Sequence, residues 1–243
     1  MLSIFRKEIN SFLNSLIAYI VIGLFLTAMG LFTWVFPETN VLDYGFADMQ
    51  TLFSMAPFVF MFLIPAITMR TFAEEKKDGT IELLLTRPVT DLQIILGKYF
   101  SSLLLVVFSL LPTLIYYYSI VELGNPPGNI DSAGVAGSYI GLVLLGAVFT
   151  SIGILSSALS VNQIVSFIIA VFLCFIVYSG FQSLASVNVW GEFSNLIDQL
   201  GIAYHYNALS KGLIDSRDVL YFVSIIVFML LSTHLVLDSR KWQ

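Results

Sequence analysis

Long apolar runs alternate with short polar connections along this chain. Six runs contain no Asp, Glu, Lys or Arg: Leu16 to Phe36, Leu52 to Met69, Phe100 to Val121, Gly134 to Leu159, Ile164 to Leu184 and Val219 to Leu237. A helix of about 20 such residues, rising about 1.5 Å per residue, crosses the hydrocarbon core of a bilayer. The pattern predicts an all-α membrane protein with six spanning helices. Ahead of the first run, Leu2, Phe5, Ile9, Phe12 and Leu13 recur at helical spacing, with Arg6, Lys7, Glu8 and Asn10 mostly elsewhere on the wheel. Residues 1–15 therefore read as an amphipathic helix lying in the membrane interface. A start that only extends the first helix is the plainer alternative.

Punctuation inside the runs suggests bends. Pro37 ends the first, Pro57 and Pro65 fall in the second and Pro112 in the third, and neighbouring helices can re-satisfy the backbone at such points. These are kinks of ordinary packing or of a gate. The fourth run carries Gly134, Gly137, Gly141 and Gly146, small residues that let helices approach closely in lipid. The seam is with another helix of the same chain or with a second chain. Residues 185–218 are moderately apolar yet carry Glu192, Asp198, His205, Lys211, Asp215, Arg217 and Asp218. Short helices dipping back toward the membrane are expected there.

Composition agrees with the pattern, at 58% hydrophobic residues and a mean hydropathy of +0.90. Little chain remains for a soluble domain, so 1–243 reads as one membrane domain. The first run is too long for a signal-peptide core and is expected to be retained. Basic residues set the orientation. With the N-terminus inside, Arg6, Lys7, Arg70, Lys76, Lys77, Arg87, Lys98, Arg240 and Lys241 all lie on the cytoplasmic side, and only Lys211 and Arg217 lie outside. Both termini and the 70–99 connection are thus expected in the cytoplasm.

Several chemistries are excluded or weakened by what the runs lack. Without charged residues inside them, the chain does not resemble a proton-coupled carrier or a voltage sensor. Ser151, Ser156 and Ser157 in the fourth run and His234 in the sixth raise the possibility of an intramembrane serine protease, but no glycine-flanked nucleophile accompanies them. His205 and its acidic neighbours are too sparse for metal-ligand spacing, and the lone Cys174 supports no thiolate cluster. Gly97-Lys98 lacks the upstream glycine and following hydroxyl of a phosphate-binding loop. Neither catalytic, metal nor nucleotide-binding residues are expected in this chain.

The charged interruption between the second and third runs is the candidate site. Asp78-Gly79-Thr80 can cap a short helix over Ile81 to Thr86, which Pro88 would stop. Thr90 and Gln93 form a capping box opening the next helix. Ile81, Leu83, Leu84 and Leu85 then need burial, in a partner's groove or on the lipid surface.

Arg70, Glu74, Glu75, Gly79-Thr80, Glu82, Leu84-Leu85, Pro88 and Gly97-Lys98 resemble the equivalent loop of ABC-2 type transporter permeases. The turn from Ser157 to Gln163, the segment from Gly212 to Asp218 and the terminal Arg240-Lys241-Trp242 are also similar to that family. Within it the chain is most similar to the gliding-motility-associated permeases of Bacteroidota, the GldF group. The resemblance implies a permease of the bacterial inner membrane, without ATPase activity of its own, whose 70–99 loop forms a coupling helix. Gly79, Thr80, Ile81, Glu82, Leu83, Leu84, Leu85, Arg87 and Pro88 would contact an ATP-binding, GldA-like subunit, which would bind the ATP and Mg. A second permease half, identical or GldG-like, and membrane lipids complete the expected partners; nucleic acid is not among them. Two outcomes follow for function: export of a substrate between permease halves, or transmission of force to exterior gliding or secretion partners.

Overall fold

A computed structural model describes residues 1–43, 47–81, 89–187 and 193–239. Among them the elements are helical throughout. Helix α1 (Leu2–Leu13) leads to α2 (Leu16–Trp34), α3 (Gln50–Thr68) and α4 (Arg70–Lys77). Beyond residues 78–90 come α5 (Asp91–Leu110), a tight 3-10 turn at Leu111–Thr113, and α6 (Leu114–Leu123). Then follow α7 (Ser132–Leu159), α8 (Gln163–Phe175), a wide π turn at Ile176–Gly180 and α9 (Phe181–Ala185). Two short helices, α10 (Ser194–Gln199) and α11 (Ile202–Leu209), precede α12 (Ser216–Asp238).

Six helical stretches are long and apolar enough to cross a membrane: Leu16–Trp34, Gln50–Lys77, Asp91–Leu123, Ser132–Leu159, Gln163–Ala185 and Ser216–Asp238. They match the six runs, with two extensions at the charged interruption. The second span runs on through Arg70 to Lys77 after a one-residue break at Met69, so the first third of the connection is helix. The third begins at Asp91, where Thr90 Oγ1 accepts from Gln93 N at 3.3 Å, as its capping pattern predicts. Pro112 produces the 3-10 turn. No local pattern signalled the π turn, which sets Tyr178 against Phe58, Phe149 and Tyr206.

The fourth span is the axle of the bundle. Within its most apolar stretch 78% of residues are buried, against 11% in α12 and 22% in the fifth span. A helix buried on all sides must be small enough for its neighbours to close on it, and the glycines of α7 do this. A Cβ on Gly153 would lie 2.0 Å from Thr68 Oγ1; one on Gly141 would lie 2.8 Å from Leu209 Cβ, and one on Gly137 would lie 2.7 Å from Gly212 O. The glycine seam is therefore within the chain. Outward faces of α2, α8 and α12, such as Leu24, Phe172 and Leu235, remain uncovered by the chain, which costs little where the solvent is lipid.

One end of the bundle gathers α1, α4, the start of α5 and the end of α12. Ile4, Phe72, Ile81, Ile94, Ile95, Tyr99 and Leu237 share a hydrophobic cluster there, so both ends of the described chain lie beside the 70–98 connection. Helix α1 buries Ile4, Glu8 and Phe12. Of the expected apolar stripe only Phe12 is fully buried, while Leu2 and Leu13 face outward. Ile4 takes the inner position because it fits the notch at Gly97, where any Cβ would lie 3.0 Å from Ile4 Cγ2. At the opposite end α11 does dip back into the bundle, with Ile202, Ala203, Tyr206 and Leu209 buried. Tyr206 Oη anchors it by donating to Phe53 O at 2.7 Å.

Candidate functional site

The connection expected to meet a partner is rooted in a charged junction between α1, α4 and α5. Lys98 lies inside α5 with a side chain only 1% exposed, although it is one of the basic residues counted toward the cytoplasmic side. Its Nζ donates to Thr71 O at 2.6 Å and to Glu8 Oε1 at 3.0 Å. Glu75 Oε2 lies 3.0 Å away as a second counter-charge, and the Phe72 ring sits beneath at 5.0 Å. Lys7 closes the group, donating to Glu75 Oε1 at 2.9 Å. Two ammonium groups and two carboxylates thus balance, as burial of charge requires. Burial acts to lower the Lys7 pKa, but the bonded Glu75 and the neighbouring Glu8 outweigh it and hold the amine above the ordinary 10.5.

Helix α4 is held from a second side by α7. After the break at Met69 its first N–H groups lack partners within the helix, as at every helix start. Phe72 N and Ala73 N donate instead to Ser157 Oγ at 2.9 and 3.1 Å, and that hydroxyl donates to Met69 O at 2.9 Å. Lys76 Nζ donates to Ala158 O. Arg70 reaches the hinge between α1 and α2, donating to Ser15 Oγ at 3.0 Å with its guanidinium over the Phe12 ring at 4.8 Å. Displacement of α4 must therefore move α1, α5 and α7 with it.

The sequence-predicted contact set begins where α4 ends. Asp78 is the C-cap of α4 and Gly79 adopts φ +67, the left-handed conformation that glycine takes most readily after a helix. Asp78-Gly79 therefore closes the helix before it. Thr80 Oγ1 turns back to Glu75 O at 3.4 Å. Gly79 and Thr80 are exposed, whereas Ile81 is buried in the chain's own cluster. Glu82, Leu83, Leu84, Leu85, Arg87 and Pro88 lie outside the described residues, as do Trp190, Arg240, Lys241 and Trp242. A pocket of about 180 Å³ opens beside the junction, lined by Lys7, Glu8, Arg70, Glu74, Thr80 and Lys98 among others.

The other candidates are occupied structurally. Ser151 and Ser156 donate to Val148 O and Ile152 O of their own helix, and Ser157 serves α4 as above. His234 pairs with Asp238, Nδ1 to Oδ2 at 3.1 Å. Asp91 joins them from α5, so that one ligand atom from each of the three lies within 4.8 Å of the others. That convergence was not legible locally, because Asp91 and His234 belong to the third and sixth spans. At the junction the polar side chains mostly bind one another and backbone.

A family model described as ABC-2 family transporter protein matches residues 37–231, most of the chain and all of the connection. No curated protein matches it.

Proposed function

The chain belongs to the ABC-2 transporter family and is a membrane subunit of an ATP-binding cassette transporter; from that premise we propose that its 70–98 connection is the lever on which the ATP-binding subunit acts. The single observation carrying this reading is the buried junction of Lys98 with Glu8, Glu75 and Thr71 O. A partner that pushes residues 79–88 pushes α4, and α4 cannot shift without α1 and α5. ATP and Mg are bound by that partner, and the permease converts its closure into a shift between two arrangements of the bundle.

The basic residues gathered at this end support a cytoplasmic location for it, with both termini inside, in a bacterial inner membrane. A second permease half completes the complex, identical or GldG-like. Similarity to the GldF group makes the gliding-motility-associated transporter, with a GldA-like ATPase, the specific assignment. Export is the activity that modest far-end loops favour, since they offer little surface for a force-receiving partner.

Affinity purification of the full chain in mild detergent tests this. Recovery of a Walker-motif ATPase, lost on Leu84→Asp by burial of an unpaired carboxylate, supports the lever. Unchanged co-purification of that variant removes the contact assignment, and stimulation of ATPase activity by no exported compound favours force transmission over export.

A further inference from the structure

At the end of the bundle away from the junction, one histidine fastens three helices. His205 of α11 places Nδ1 2.7 Å from Asp218 Oδ1 in the first turn of α12, and Nε2 2.9 Å from Gln199 O at the end of α10. Both partners are acceptors: an ionised carboxylate and a peptide carbonyl carry no hydrogen to give. A neutral imidazole has one N–H and one lone pair. It can satisfy either contact, and the other then sets lone pair against lone pair. One hydrogen must therefore lie in each contact, so His205 and Asp218 together hold two protons in this arrangement. Whether the shared proton sits nearer Nδ1 or Oδ1 leaves that count unchanged.

We propose that His205 and Asp218 form a two-proton latch, and that loss of one proton frees the end of α10 from α11. The contact surrendered is the one to Gln199 O, because the bond to the carboxylate is charge-assisted and stronger. The ring is only 15% exposed and Asp218 12%. Tyr221 of α12 stacks on it at 3.8 Å and donates to Leu200 O at 2.5 Å, and Tyr204 of α11 meets its edge at 5.3 Å. Beside the latch lies an open crevice of about 940 Å³. Lys211, Asp215 and Arg217 are the further charged groups lining it, and α10 carries Asp198. Asp215 is engaged as the cap of α12 through Arg217 N at 2.9 Å. Gln199 and Leu200 line the same crevice, so release of α10 widens it. The latch stands on local geometry and does not depend on which substrate, if any, the transporter moves.

The chain contains two histidines, so His234→Gln leaves His205 as the sole imidazole. In that variant, with ¹⁵N-labelled histidine and reconstituted in nanodiscs, both ring nitrogens should be protonated at the acid end of a pH series and one should lose its hydrogen as the pH is raised. Amide exchange over residues 195–206, corrected for its intrinsic pH dependence, should rise about tenfold in the same step, the equivalent of one lost hydrogen bond. Asp218→Asn should abolish that step: an amide N–H donates to Nδ1 of a neutral ring, whose Nε2–H still reaches Gln199 O. A ring with a single N–H at low pH, exchange that stays flat while the ring titrates, or a step that survives Asp218→Asn overturns the latch. The His234→Gln titration decides by itself if the Asp218→Asn variant fails to fold.

Discussion

The two ends of the bundle use charge in opposite ways. At the junction, Lys98 is enclosed by two carboxylates, a carbonyl and an aromatic ring, with Lys7 as a second cation. At the far end, His205 and Asp218 sit beside an open crevice. The first group sets two cations against two carboxylates within 3.5 Å of one another. The second sets an imidazole between a carboxylate and a peptide carbonyl. The proposed lever needs the former and the proposed latch uses the latter.

The largest effect should come from Lys98→Met, which strips the buried cation from Glu8 and Glu75. Removing one member of a buried pair costs roughly 3 to 5 kcal/mol, and thermal unfolding of the detergent-solubilised chain would read it. Adding Glu75→Gln should recover part of the loss; a Lys98→Met chain as stable as wild type would mean the junction is not stiff. Ser157→Ala is expected to cost less, about 1 to 3 kcal/mol, by orphaning the N–H groups of Phe72 and Ala73. Faster amide exchange in α4, with α12 unchanged, would mark the damage as local.

At the far end, Gly212→Val confronts a φ of +79 and a Cβ position 2.4 Å from Gly134 Cα. Strain and overpacking together should cost about 1 to 3 kcal/mol. If Gly212→Val loosens α11 and leaves α4 protected, the ends are independent; a matching rise in α4 exchange would join them. Lys7→Met should have the smallest effect, a few tenths of a kcal/mol, since its side chain is 57% exposed and solvent screens the pair. The sign is defined: a folded-state pKa above the ordinary 10.5 means that its contribution is complete below about pH 10.5 and is lost as pH rises through the folded value. The stability difference between Lys7→Met and wild type should therefore close in strong alkali.

Local pattern revealed the spans but not their joints. Apolar runs marked all six helices, and Thr90 with Gln93 marked the start of α5, because length and capping are properties of neighbouring residues. Among Glu74, Glu75, Lys76 and Lys77, Glu75 and Lys76 turn inward to α5 and α7, which nothing in the local pattern distinguished. Ile81 shared a run with three leucines yet packs within the chain. In α1 the hydrophobic stripe pointed to Leu2, Phe5, Ile9, Phe12 and Leu13; Phe12 is buried, and shape added Ile4, opposite Gly97. His205 drew attention only as too isolated for a metal, while its true partners are a backbone oxygen and the first turn of another helix.

The sequence by itself determined that this is a six-span helical membrane protein, with its basic residues concentrated on one side and a distinctive charged connection between the second and third spans. These follow from hydrophobic length and charge counting, where the bilayer supplies the selection. Tertiary structure alone decided that Lys98 is buried, that Ser157 caps α4, that the glycines of α7 face Thr68, Leu209 and Gly212, and that His205 bridges α10 and α12. Each is a meeting of residues distant along the chain. Their pairing is set by which helices pack together, and in lipid that choice rests on close steric fit and on satisfying polar groups instead of on hydrophobic burial.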